Sequence, residues 1–149
     1  AYMHAEDEQY WRTSVGLDYA FSDEVFAMIE YHYNGAGTTD PSDYLNLSSN
    51  SAFKRYGVQM MGKNYLLPSV NWTASALVTV SSSVFYNLSD SSFLLNLSAN
   101  TSWSDNGYSQ FGVYKGFGKS GGSTNLIPQL DSEYGLSPLI VYASVSIYF

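Results

Sequence analysis

The chain has 149 residues, no cysteine, only 13% charged residues and a formal net charge of −7. This is one domain's length, 1–149; the missing cysteines exclude a disulfide framework and thiolate metal sites, and the acidic balance argues against nucleic acid as a partner. Soluble domains carry roughly 25% charged residues, so a chain this poor in charge and 45% hydrophobic has little to keep it dispersed in water.

Residues 1–9, with Glu6, Asp7 and Glu8, read as part of an acidic loop that cannot be a membrane strand. Period-two alternation then predicts seven strands. The first, 11–21, sets Thr13, Val15, Leu17, Tyr19 and Phe21 on one face and Arg12, Ser14, Gly16, Asp18 and Ala20 on the other. Ser22 and Asp23 turn the chain into the second, 24–34, where Val25, Ala27, Ile29, Tyr31 and Tyr33 oppose Met28, Glu30, His32 and Asn34. A long polar segment, 35–52, precedes the third, 54–66, with Tyr56, Val58, Met60 and Leu66 on the apolar face and Arg55, Gln59, Met61, Lys63 and Tyr65 on the other. Residues 68–71, opening on Pro68, are expected to turn.

The fourth strand, 72–87, is the longest, alternating Trp72, Ala74, Ala76, Val78, Val80, Val84 and Tyr86 with Thr, Ser and Asn. Residues 88–90 turn into the fifth, 92–103, where Phe93, Leu95, Leu97, Ala99 and Trp103 oppose Asn96, Ser98, Asn100 and Ser102. Asp105, Asn106 and Gly107 are a strong hairpin signal. In the sixth, 109–119, Lys115 falls with Phe111, Val113 and Phe117, so either it snorkels or a bulge shifts the register. A Gly/Ser/Pro-rich segment, 120–138, leads to the seventh, 139–149. Here Leu139, Val141, Ala143, Val145, Ile147 and Phe149 alternate with Tyr142, Ser144, Ser146 and Tyr148.

That last strand, alternating to a terminal aromatic, resembles the closing strand of a bacterial outer-membrane β-barrel, porin-like, in its C-terminal portion. The composition agrees: a barrel strand needs one face for lipid and one for a wet lumen, and no apolar run approaches the roughly 18 residues of a membrane helix. The resemblance implies an all-β fold of antiparallel transmembrane barrel strands in the bacterial outer membrane. It also implies lipid bilayer and lipopolysaccharide as surroundings, and recognition of Phe149 by the barrel-assembly machinery. With Phe149 placed periplasmically, the connections before the seventh, fifth and third strands fall outside, long, short and long, and those before the sixth, fourth and second fall inside, all short, as in such barrels. Phe21, Trp72, Trp103 and Phe149 then mark one membrane interface, and Trp11, Tyr33, Tyr56, Tyr86, Phe93 and Phe117 the other. A soluble β-sandwich or lipocalin-like barrel, whose buried faces also alternate, is the rival fold.

Complete single-chain barrels have an even strand number. Seven strands therefore predict a larger barrel, completed by another chain or segment; a strand hidden in 35–52 or 120–138 would instead give eight. No signal-peptide pattern is evident, which reads as a mature, processed or partial chain.

No zinc-ligand cluster, phosphate loop or nucleophile motif stands out, so neither an enzyme nor a cofactor is expected. The charged and polar lumen-facing set is Arg12, Asp18, Glu30, His32, Arg55, Gln59 and Lys63. It reads either as one charged wall of a pore or as a salt-bridge lattice filling that wall. The acids Glu6, Asp7, Glu8, Asp40, Asp43, Asp90, Asp131 and Glu133 fall in outer loops, to bind lipopolysaccharide-bridging cations or simply to stay solvated. The expected function is a channel or transport component for small polar solutes, with a non-conducting scaffold barrel as the alternative.

Overall fold

The computed structural model describes residues 2–5, 8–47, 60–124, 127–128 and 130–148. Its strands are β1 (Tyr2–Ala5), β2 (Glu8–Ala20), β3 (Val25–Asn34), β4 (Asn64–Ser75), β5 (Val78–Asn87), β6 (Ser92–Ser104), β7 (Gly107–Phe117), β8 (Ser123–Thr124), β9 (Ile127–Pro128) and β10 (Ile140–Ile147). A 3-10 turn, Pro41–Asp43, runs into the one-turn helix α1 (Tyr44–Leu47). Seven long antiparallel strands make one open sheet in the order β2-β3-β4-β5-β6-β7-β10, with β1 added at the β2 edge. β8 and β9 form a separate small ladder.

The alternation in the sequence becomes two continuous faces, because antiparallel partners point to the same side of a sheet. One row crosses the sheet as Tyr19, Ala27, Val70, Ser82, Leu97, Val113 and Val141. The next row on the opposite face runs Asn71, Ser81, Ser98, Gly112 and Tyr142. Lys115 sits opposite Leu95 with the β6–β7 ladder in step from Phe93 to Ser102. No bulge removes it from the apolar face. Close to the sheet end, beside Phe117, it is placed for its stem to snorkel.

Two predicted boundaries are corrected. Pro68 lies inside β4, opposite Ile29, and not in a turn. Proline adopts extended backbone and only lacks one ladder donor. The turn comes later, at Ala76 and Leu77, where Ser75 Oγ accepts from the Leu77 amide (3.3 Å). The expected fourth strand, 72–87, is therefore the end of β4, a hairpin and β5. Its alternation hid the turn because partners in this ladder share parity, as in Trp72 opposite Val80; the pattern passes through the hairpin in phase. The N-terminal segment is the second correction. Tyr2–Ala5 is a strand paired with 8–11, and β2 begins at Glu8. The first half of the expected third strand, with Arg55, Tyr56 and Gln59, lies outside the described residues, as does Phe149.

The sheet has unequal ends. At one, β2–β3, β4–β5 and β6–β7 are joined by short turns. At the other lie the end of β1 and the start of β2, residues 35–47, 60–63, 118–124 and 130–139, and the four-residue turn 88–91, closed by Ser91 N–H to Asn87 O (2.9 Å). The loop asymmetry expected from sequence is thus present.

On the polar face, Gly112 leaves room for the Tyr142 ring, which stacks on Tyr114 with centroids 5.5 Å apart. Any Cβ at Gly112 would meet that ring. Gly112→Val is expected to lower stability by about 1–3 kcal/mol through overpacking. Adding Tyr142→Ala should recover part of that loss in denaturant titrations; an unchanged loss would show that the ring is not what the valine displaces.

Candidate functional site

The apolar face is uncovered. Leu17, Val141 and Val145 are 76%, 74% and 67% exposed. Among the described residues the buried hydrophobic side chains are only Tyr10, Tyr44 and Tyr65. Ala99 and Ala143 sink a shallow groove of about 430 Å³ between Val80, Leu97, Phe111 and Val141 on this face. Aromatics gather at its two ends. Tyr86 stacks on Phe93 (6.3 Å) and Phe93 on Phe117 (4.7 Å) at the loop end, where Trp11 and Tyr33 also lie. Phe21, Trp72 and Trp103 stand about half exposed or more at the short-turn end.

On the polar face, register brings four of the seven lumen-facing candidates onto adjacent strands. Arg12 is opposite Asn34, Ser14 opposite His32, Gly16 opposite Glu30 and Asp18 opposite Met28. Ser14 Oγ and His32 Nδ1 are 2.7 Å apart. Lys63 is not in a strand: it sits in the connection just before β4, where its amide donates to Ser89 Oγ (3.3 Å) and its carbonyl accepts from the Asn34 amide (2.8 Å). Arg55 and Gln59 lie outside the described residues.

A second cluster, absent from the sequence reading as a cluster, closes the loop end of the polar face. Its centre is Glu133. Oε2 accepts from Tyr65 OH (2.6 Å) and Asn87 Nδ2 (2.7 Å), and Oε1 accepts from the Met61 amide (2.9 Å). Asp90 is the second carboxylate: Oδ2 accepts from Tyr44 OH (2.9 Å) and the Glu133 amide (2.7 Å), and Oδ1 from the Ser92 amide (2.8 Å). Asn87 Nδ2 also reaches Tyr44 OH (3.0 Å). Because Tyr65, Asn87 and Ser92 are polar-face residues at their strand ends, Glu133 draws its segment inward across that face. Gly116 and Gly118 permit the approach, since Cβ atoms there would meet Tyr134, Ser137 and Ser132.

Asp90 and Glu133 are therefore not solvated loop acids. Burial, first of all, raises the Glu133 carboxyl above its ordinary 4.5, with Asp90 adding to it and the Tyr65, Met61 and Asn87 hydrogen bonds opposing. Burial likewise raises the hydroxyls of Tyr44 and Tyr134, which keeps Tyr44 a donor. Asp40 behaves otherwise: it caps the 3-10 turn through Ser42 N (3.0 Å) and Ser42 Oγ (2.8 Å), and these bonds lower its pKa. Asp40 and Asp131 flank Lys119 around an open cleft of about 410 Å³. Among the described residues, no three His, Asp or Glu side chains gather as metal ligands.

No family model, curated protein or solved structure matches the chain.

The Glu133 carboxyl gives a pH expectation. A folded-state value raised above 4.5 means that the seated segment binds its proton more tightly than the released one. Its stability is full below pH 4.5 and falls as pH rises through the raised value. The hydrogen-exchange protection factor across 130–137, taken relative to the intrinsic rate at each pH, should fall over that window, and Glu133→Gln should flatten the profile. A profile of equal slope in the variant would assign the titration elsewhere.

Proposed function

We propose that this chain is wall of a bacterial outer-membrane barrel that passes small polar solutes, its apolar face against lipid and its polar face lining the lumen. The observation that carries the reading is the uncovered apolar face, continuous over seven strands and bounded at both ends by aromatics. A soluble sandwich would set a second layer against such a face, and the described residues hold none. Dimensions agree. Trp103 lies ten residue steps beyond Phe93, about 33 Å of strand at roughly 3.3 Å per residue. At a tilt near 40° this spans about 25 Å of membrane, the height of the apolar band in such barrels.

The charged part of the polar face, Arg12, Asp18, Glu30 and His32, is the best candidate for ion selectivity. Glu30 stands in mid-strand, on the wall; Lys63 stands at the loop-end mouth. In planar bilayers under a salt gradient, Glu30→Gln is expected to shift the reversal potential toward lower cation preference, and Lys63→Gln toward higher. Unchanged potentials in both would remove these residues from the conduction path. The scaffold alternative has one observation in its favour, the Glu133 segment fixed across the loop end of the polar face. Absence of conductance from intact, inserted protein would select it.

A further inference from the structure

Resting on the barrel reading, we propose that the open β2 edge is closed by polypeptide continuing β1 in its N-terminal direction, an eighth long strand pairing with β2 on one side and β10 on the other.

β1 shows where that strand enters. It runs antiparallel to β2 from Ala5 opposite Glu8 to Tyr2 opposite Trp11. Beyond that point, residues 13–20 of β2 are paired with β3 on one side and with no described strand on the other. In hydrocarbon each backbone group left so would cost several kcal/mol, and this stretch has no proline, charge row or bulge of the sort that protects an exposed edge.

Strand direction then selects the occupant. Direction alternates from β2 through β10, and with seven strands β2 and β10 run parallel to each other. Closing β2 directly on β10 would need a parallel ladder in an otherwise antiparallel sheet. A second copy placing its β10 on this β2 meets the same mismatch. Pairing β2 with β2, or β10 with β10, about a two-fold axis restores antiparallel ladders but points the long loops of the two copies to opposite membrane sides. One further strand antiparallel to β2 is antiparallel to β10 as well, and brings the count to the even number of a complete barrel. β1 already has that direction and lies on that edge. Continued without a break, its register sets the residue two before Ala1 opposite Ser14 and the residue six before opposite Asp18. Positions opposite Val15, Leu17 and Tyr19 would then carry apolar side chains for the lipid face.

The chain has no cysteine of its own, so disulfide mapping is clean. The complete reading frame is expressed in its native membrane with Ser14→Cys and a cysteine two residues before Ala1. Directly opposed strand residues have Cβ atoms about 4.5–5.5 Å apart, near enough to bridge. A disulfide is expected for this pair and none when the upstream cysteine is moved by one residue, onto the other face. A cysteine scan of 141–147 in β10 should also cross-link to the same upstream strand with period two. A reading frame with too few upstream residues to reach opposite Ala20, a failure of both pairs, or Ser14→Cys dimers between two copies would each overturn the proposal. Heat-modifiable mobility of the inserted protein separates the two failures. If it is present without the cross-links, the barrel reading stands and this closure is wrong; if it is absent, both fall.

Discussion

Arginine at Leu97 or Val145 is expected to destabilise the protein in lipid by about 2–4 kcal/mol, the range for a cation on the lipid face at mid-bilayer. Leu97 is 40% exposed in the row formed with Ser82 and Val113. Val145 lies on the same face of β10, opposite Ser109. Leu97 is clear of the aromatics at the sheet ends, so a guanidinium there has no short route to headgroups; Val145 lies one row nearer the short-turn end than Trp72, Val80 and Ala143, so the low end of that range is expected there. Ser144, one residue along β10 and opposite Gln110 on the polar face, should accept arginine with a much smaller loss. Denaturant titrations in lipid vesicles measure all three. Equal tolerance at Leu97, Val145 and Ser144 would remove the membrane assignment, since an alternating sheet in water has no reason to penalise one face for charge alone.

Glu133→Ala is expected to act at the other end of the molecule. It takes the acceptor from Tyr65 OH, Asn87 Nδ2 and the Met61 amide together, and leaves Asp90 Oδ2 with Tyr44 and the Glu133 amide. Asn87 Nδ2 keeps Tyr44 OH (3.0 Å), but Tyr65 OH and the Met61 amide lose their acceptor; each buried donor left without a partner costs about 1–3 kcal/mol, so a loss of at least about 2 kcal/mol is expected in the seating of 130–137. The readout is hydrogen exchange, with protection lost over that segment and retained in β6 and β7. If the barrel conducts, the same substitution should raise conductance, because it frees the segment lying across the polar face. Uniform loss of protection over the whole sheet would instead make Glu133 a global stability residue.

These two expectations differ in how far the sequence alone could have led to them. Leu97 and Val145 are legible from one strand each: side-chain direction alternates residue by residue, so position within a strand is enough to assign a face. Glu133 is not legible in that way. It carries no periodic signal, sits in a Gly/Ser/Pro-rich stretch and looks like any solvated acid. Its partners come from the end of β5, the start of β4, the residues before β4 and, through Asp90, helix α1 and the 88–91 turn. Nothing local announces that these meet.

The same contrast holds for the fold. Two-faced strands, their number and the loop asymmetry follow from local alternation and turn residues, whereas the place of Lys115 on the apolar face, left open between snorkelling and a bulge, needed the β6–β7 ladder. Tertiary pairing decided the rest. Pro68 is in a strand because Ile29 lies opposite it, and the β4–β5 hairpin sits at Ala76 and Leu77 although alternation crosses it in phase. Tyr2–Ala5 is a strand because β2 offers it an edge, not because four residues could reveal a period. Periodicity is a property of each segment by itself; register, edge pairing and the Glu133 cluster exist only once segments distant in sequence supply one another's hydrogen-bond partners.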